Sequence, residues 1–93
     1  MYIILVYDIS LDEKGSRVLN RIFKLCKKYL THVQKSVFEG EITPAKLKEL
    51  ELQLSDLIRD DLDSVVIFKN TNKRWLEKSY LGISLEDELS NFF

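Results

Sequence analysis

Residues 2–9 read Tyr-Ile-Ile-Leu-Val-Tyr-Asp-Ile, and seven of these eight are apolar or aromatic. Neither Gly nor Pro interrupts them. A run this short, rich in β-branched residues, predicts a strand buried on both faces near the middle of a sheet. Asp8 breaks the pattern by placing a carboxylate near the strand's end. A charge in that position has to be paired, bound to a metal or held at an exposed strand end. The rest of the chain must cover this strand and account for Asp8.

The 93 residues are enough for one core and one domain. We assign that domain to residues 1–84 and treat 85–93 as an acidic tail ending in Phe92-Phe93. The 45% hydrophobic and 31% charged content is that of a soluble globular domain. With three Gly and one Pro, long loops are not expected. A single cysteine, Cys26, excludes an internal disulfide and any multi-cysteine metal site, which suits a reducing cytoplasm. The apolar start lacks a basic leader and a cleavage site and is too short to span a bilayer, so no membrane association is expected.

After Asp8, the polar stretch with Ser10, Asp12 and Gly15 predicts a turn. Ser16 is the expected N-cap of a helix reaching about residue 30. Val18, Leu19, Ile22, Phe23, Cys26, Tyr29 and Leu30 form its apolar stripe, with Leu25 off it. Residues 31–42 look extended and too long for one strand, so a reversal is expected within them. Gly40 is a candidate bulge. Thr43-Pro44 starts a second helix, with Thr43 as N-cap and Pro44 at the first helical position. Leu47, Leu50, Leu54, Leu57 and Ile58 give it an apolar stripe to about residue 59. Asp60, Asp61 and Asp63 form a charged turn before a buried strand at 65–68. Residues 70–72 form another turn, and 74–84, with Trp75 and Tyr80 as packing residues, a less regular edge strand.

This order is the ferredoxin-like β-α-β-β-α-β pattern, an α+β fold with an extra C-terminal strand. Both crossovers place their helices on one face of an antiparallel sheet. Strands apolar on both sides then need a second cover. A homodimer packed sheet on sheet supplies it, and the extra strand can join the partner's sheet edge.

Charge is segregated. Residues 14–35 carry Lys14, Arg17, Arg21, Lys24, Lys27, Lys28 and Lys35 without an acid, whereas 36–64 carry eight acids and three bases. Such a run usually marks a solvated helix face. The alternative is a phosphate-binding stripe of Arg17, Arg21, Lys24 and Lys28, ~16 Å long at ~1.5 Å per residue. Doubled by a two-fold axis, it could follow a duplex backbone. The net charge of -1 does not exclude this, because local fields govern binding.

Asp8 could cap the turn after it or pair with Arg17, and structural ion pairs are the commoner cause of such placements. It could also bind Mg²⁺, which is commonly held by one or two carboxylates with water and phosphate oxygens. Two Asp8 side chains across a dimer axis would make that site, where metal activates water against a phosphodiester. His32, the sole histidine, forms neither a metal cluster nor a triad and suits a strand edge or a phosphate contact. Cys26 belongs to the core. There is no glycine-rich phosphate loop, zinc-ligand spacing or nucleophile elbow.

Tyr7-Asp8-Ile9, the basic helix closing on Lys27-Lys28-Tyr29-Leu30, the run Val33-Gln34-Lys35-Ser36-Val37-Phe38-Glu39-Gly40, and Asp63-Ser64-Val65 together resemble the CRISPR-associated protein two family. These are the small partners of the CRISPR integrase in spacer acquisition. The resemblance covers nearly all of the chain to Phe68. It implies a ferredoxin-like homodimer with a tight reversal between strands at about 32–35 and 37–42. It makes Asp8 the Mg²⁺ ligand and catalytic carboxylate, with Ser10, Arg17 and Phe38 near the same cleft. It also implies that the dimer bridges integrase dimers and touches protospacer DNA, with endonuclease activity on single-stranded RNA or duplex DNA. Leu30 and His32 stand where the family often has a small residue and an arginine, so a phosphate contact there is reduced. The alternatives are a toxin-type ribonuclease of the same fold and a non-catalytic nucleic-acid-binding scaffold. The tail is either disordered or docks on the integrase.

Overall fold

The computed structural model describes residues 1–71, 79, 81 and 82. Six elements follow in the expected order: β1 Tyr2–Asp8, α1 Gly15–Tyr29, β2 Thr31–Gln34, β3 Val37–Glu41, α2 Pro44–Leu57 and β4 Ser64–Asn70. The strands form one sheet in the order β2-β3-β1-β4, and every neighbouring pair is antiparallel. This is the ferredoxin-like arrangement, with β1 inside the sheet between β3 and β4. The additional strand expected at 74–84, its Trp75 and Tyr80, and the tail at 85–93 lie outside the described residues, the isolated positions 79, 81 and 82 apart. No described helix is long and apolar enough to cross a membrane.

Alternation along β1 sorts its side chains. Ile3, Leu5 and Tyr7 are buried beneath the helices with Ile22, Leu25, Cys26, Leu47, Leu50 and Leu54. Ile4, Val6 and Asp8 have the opposite parity. Opposite them on β4 stand Phe68, Val66 and Ser64. Val66 is 49% exposed and Phe68 61%. The strand expected to be buried at 65–68 is therefore only half covered in a single chain, and it runs longer, from Ser64 to Asn70. The apolar strip of Ile4, Val6, Val66 and Phe68 is the open face that the sequence pattern requires a partner to cover.

α2 begins as its sequence dictates. The Thr43 hydroxyl oxygen accepts from the Lys46 backbone N–H at 3.2 Å, and Pro44 occupies the first turn. α1 does not begin at a Ser16 cap. It starts two residues earlier, at Gly15, with Lys14 in the capping position and no side-chain cap bond. The turn before it is built on Asp12, whose side chain accepts from the Lys14 N–H while its carbonyl accepts from the Gly15 N–H. Leu25, placed off the apolar stripe, is buried, whereas Val18 and Leu19 are only partly covered. The reason is that α1 packs on α2 as well as on the sheet. Leu25 and Leu57 both line the groove along that seam, and Gln53 Nε2 donates to the Tyr29 hydroxyl across it at 2.8 Å.

The reversal within 31–42 falls at Lys35-Ser36, since Gln34 pairs with Val37. Lys35 takes a left-handed backbone, φ 41°, which costs a side-chain-bearing residue about 1–2 kcal/mol. Gly40 is not a bulge. It pairs regularly with Ile3, and the register shift lies on β2 between His32 and Gln34. Gly40 lies against Leu30, whose Cδ2 would sit 3.4 Å from a Cβ there, about an ordinary van der Waals contact.

Candidate active site and nucleic-acid surface

β1 carries Asp8 to the end of the sheet and leaves it exposed there, on the open-face parity. Its backbone pairs with Ser64. Its carboxylate has neither a hydrogen bond nor an ion pair with any described residue. The expected pairing with Arg17 or capping of the next turn is not made. Among the described residues, no three His, Cys, Asp or Glu side chains converge on a point. Among the described residues Asp8 thus stands at this end of the sheet as an unpartnered carboxylate, an oxygen donor suited to Mg²⁺ with further oxygens from a second copy, substrate or water.

Just beyond Asp8 the chain is clamped. The Ser10 N–H donates to Asp63 Oδ1 at 3.0 Å, and Arg59 Nη2 donates to the Ser10 carbonyl at 2.9 Å. Arg59 Nε and Nη2 each reach an Asp63 oxygen at 2.9 Å, the Arg59 N–H donates to Asp63 Oδ2, and Nη1 bonds Asp12. The Asp63 side chain is wholly buried, so its charge depends on these partners. The Arg59 guanidinium holds the Asp63 carboxyl far below the usual carboxylate range, with the Arg59 and Ser10 N–H groups adding to this against the cost of burial. Arg59 in turn is pushed up, first by Asp63 and then by Asp12. Gly15 admits the clamped segment, because a Cβ there would lie 2.2 Å from the Ser10 carbonyl oxygen.

Sequence reasoning placed Ser10 near the site and missed Arg59 and Asp63. It took Asp63 as one acid of a charged turn. The available signal was an arginine four residues before an aspartate that immediately precedes an apolar strand.

Phe38 is fully buried on the helix side of the sheet. Its ring packs with Tyr7, Phe23 and His32 at centroid distances of 6.1, 5.5 and 4.9 Å. It offers no surface of its own, so any effect it has on the site passes through Tyr7, the neighbour of Asp8. Burial, aided by the neighbouring Cys26, raises the Tyr7 phenol, and a hydrogen bond with Ser36 opposes this. Burial pushes the Cys26 thiol up to about 12, in keeping with a core role. His32 lies on edge strand β2, its ring edge-on to Phe23. Its Nε2 sits 2.8 Å from the Lys35 carbonyl. That oxygen can only accept, so Nε2 carries the proton.

Arg17, Arg21, Lys24 and Lys28 are all exposed along α1. Arg21, Lys24 and Lys28 line a groove of about 380 Å³ between the helices with Gln53, Asp56 and Leu57. This groove belongs to the helix layer, opposite the open sheet face. The basic stripe and Asp8 therefore do not share one cleft within a chain, and Asp56 tempers the positive charge of the groove.

Residues 1–78 match the family model described as CRISPR associated protein Cas2. The chain is 55% identical over 92 residues to the CRISPR-associated endoribonuclease Cas2 of Fusobacterium nucleatum, covering 99% of this chain and 86% of that protein. It also resembles a structure described as the crystal structure of cas2, with a TM-score of 0.79 and 39% identity across 91% of this chain and 90% of the other. The crystal structure of Streptococcus pyogenes Cas2 at pH 6.5 matches with a TM-score of 0.74 and 29% identity, over 86% of this chain and all of that one. The match spans both motifs and the clamp between β1 and β4, and the chain belongs to the CRISPR-associated Cas2 family.

Proposed function

We propose that two copies of this chain pack open sheet face to open sheet face, and that the dimer is a CRISPR adaptation protein with metal-dependent phosphodiesterase activity. The observation that carries this reading is the free, exposed Asp8 at the end of the uncovered apolar strip. A two-fold axis through that strip doubles every group on it, so Asp8 comes as a pair. Mg²⁺ between the pair would polarise the phosphodiester and lower the pKa of an attacking water. The chain's own part is to hold the carboxylates, exclude water with Ile4, Val6, Val66 and Phe68, and offer the Ser10 hydroxyl. The Ser10 backbone is already committed to the clamp. RNA is the substrate class suggested by the name of the Fusobacterium relative, an endoribonuclease; single-stranded RNA is the form proposed here, and duplex DNA is the alternative. Purified Asp8→Asn should lose metal-dependent cleavage of both; cleavage at the wild-type rate would place the activity elsewhere.

The position of the basic stripe favours a second role. It lies on the outer, helical layer, where a duplex can run without entering the dimer interface. In this role the dimer bridges integrase dimers and holds protospacer DNA through Arg17, Arg21, Lys24 and Lys28. Arg21→Glu with Lys24→Glu should weaken duplex binding and flatten its dependence on salt. Unchanged affinity and slope would remove the stripe from the interface.

A further inference from the structure

We infer that Arg59 and Asp63 are positioning residues for the Asp8 metal site, a role that rests on the metal reading above. Backbone pairing of β1 with β4 ends at Asp8 and Ser64. One residue further on β4's side is Asp63, and two further on β1's side is Ser10. The Asp63 side chain accepts from the Ser10 N–H, so it continues the ladder where the backbone can no longer do so. Arg59 then fixes the other side of the same peptide segment by donating to the Ser10 carbonyl. Both backbone groups of Ser10 are thereby held by one ion pair anchored on the α2–β4 connection.

The arrangement is specific to these side chains. Arg59 uses Nε, Nη1 and Nη2 on three residues at once, a planar fork that lysine cannot reproduce. Asp63 uses both oxygens and is buried. Gly15, lacking a Cβ, leaves the space that the Ser10 carbonyl occupies, since a Cβ there would lie 2.2 Å from its oxygen. Among the described residues the Asp8 carboxylate has no side-chain partner, so the backbone on either side is what fixes the point and direction from which its side chain leaves β1. The ladder fixes one side and the clamp fixes the other. A cation shared between two carboxylates needs both within a few tenths of an ångström of their positions. Outer residues that orient a ligand in this way typically change metal affinity by 10- to 100-fold.

The test uses the full-length dimer and Mn²⁺ as the probe. Arg59→Lys should weaken Mn²⁺ binding about tenfold, speed exchange of the Ser10 amide hydrogen and leave the dimer dissociation constant unchanged. Asp63→Asn should do the same, and Arg59→Lys stands alone where Asp63→Asn fails to fold. Wild-type Mn²⁺ affinity in a folded Arg59→Lys dimer overturns the inference. So does a loss of affinity that merely tracks dimer dissociation. If the wild type binds no Mn²⁺, or Asp8→Asn binds as the wild type does, the metal reading itself fails and the inference falls with it.

Discussion

Ile4 and Phe68 stand opposite each other in the β1–β4 ladder, on the face that neither helix covers. Phe68 is 61% exposed there, although its strand is apolar enough to be read as core. A ring of that size beside Val66 and across from Ile4 forms a contiguous apolar strip, the kind of surface that marks an association site. The same parity brings Asp8 to the end of the strip. The proposed dimer and the proposed metal site are therefore both drawn from one alternation pattern.

Phe68→Asp tests the first consequence. The side chain has no contact with the helical core to lose, so the fold should survive by circular dichroism. A buried, unpaired carboxylate on each side of a sheet-on-sheet interface is costly. Sedimentation should give a dimer for the wild type and a monomer for the variant at the same micromolar concentration. A dimer that persists in Phe68→Asp would move the interface elsewhere.

The clamp makes stability depend on acid pH. The carboxyl of Asp63 is depressed in the folded chain, chiefly by Arg59. Its contribution is fully present above the unfolded carboxylate pKa of about 3.9 and is lost as pH falls through the lower folded value. Stability measured by urea should thus be flat in this component down to about pH 4 and fall below it. In Asp63→Asn the whole curve should lie lower at neutral pH, and the acid slope should be shallower. An acid limb of equal steepness in both proteins would mean that other groups drive it.

Gly15 carries a steric argument. A methyl group there meets the Ser10 carbonyl carbon and oxygen, both backbone atoms that cannot swing away. Gly15→Ala should destabilise the chain by about 2–3 kcal/mol, read from denaturant midpoints. Because relief comes from moving the Ser10 peptide, the variant should also speed exchange at the Ser10 amide. A neutral Gly15→Ala would mean that the segment after Asp8 adapts freely.

The fold was legible because three signals agreed: the uninterrupted apolar run at 2–9, the Thr43-Pro44 helix start and the order of periodicities. Asp8 was legible as the one charge that the run did not explain. Errors arose where tertiary contact overrode local pattern. Ser16 looked like a cap, but Asp12 had already organised the turn. Leu25 fell off a stripe defined by one surface, while α1 buries two. Gly40 looked like a bulge because glycine often marks one, yet the shift lies between His32 and Gln34 and Gly40 pairs regularly with Ile3. The resemblance places Phe38 near the cleft, and the structure adds that its ring is buried under the helices against Tyr7, the neighbour of Asp8. The spacing of Arg59 and Asp63 hinted at a pair, but their joint hold on Ser10 and Asp12 was not legible because those partners lie about fifty residues earlier.

The central claim is that Asp8 works as a pair. The most direct measurement is the number of Mn²⁺ ions bound per chain, counted by electron paramagnetic resonance during titration of the dimer. The account predicts one strongly bound ion for every two chains and none in Asp8→Asn. One ion per chain, or an undiminished ion count in Asp8→Asn, would contradict it.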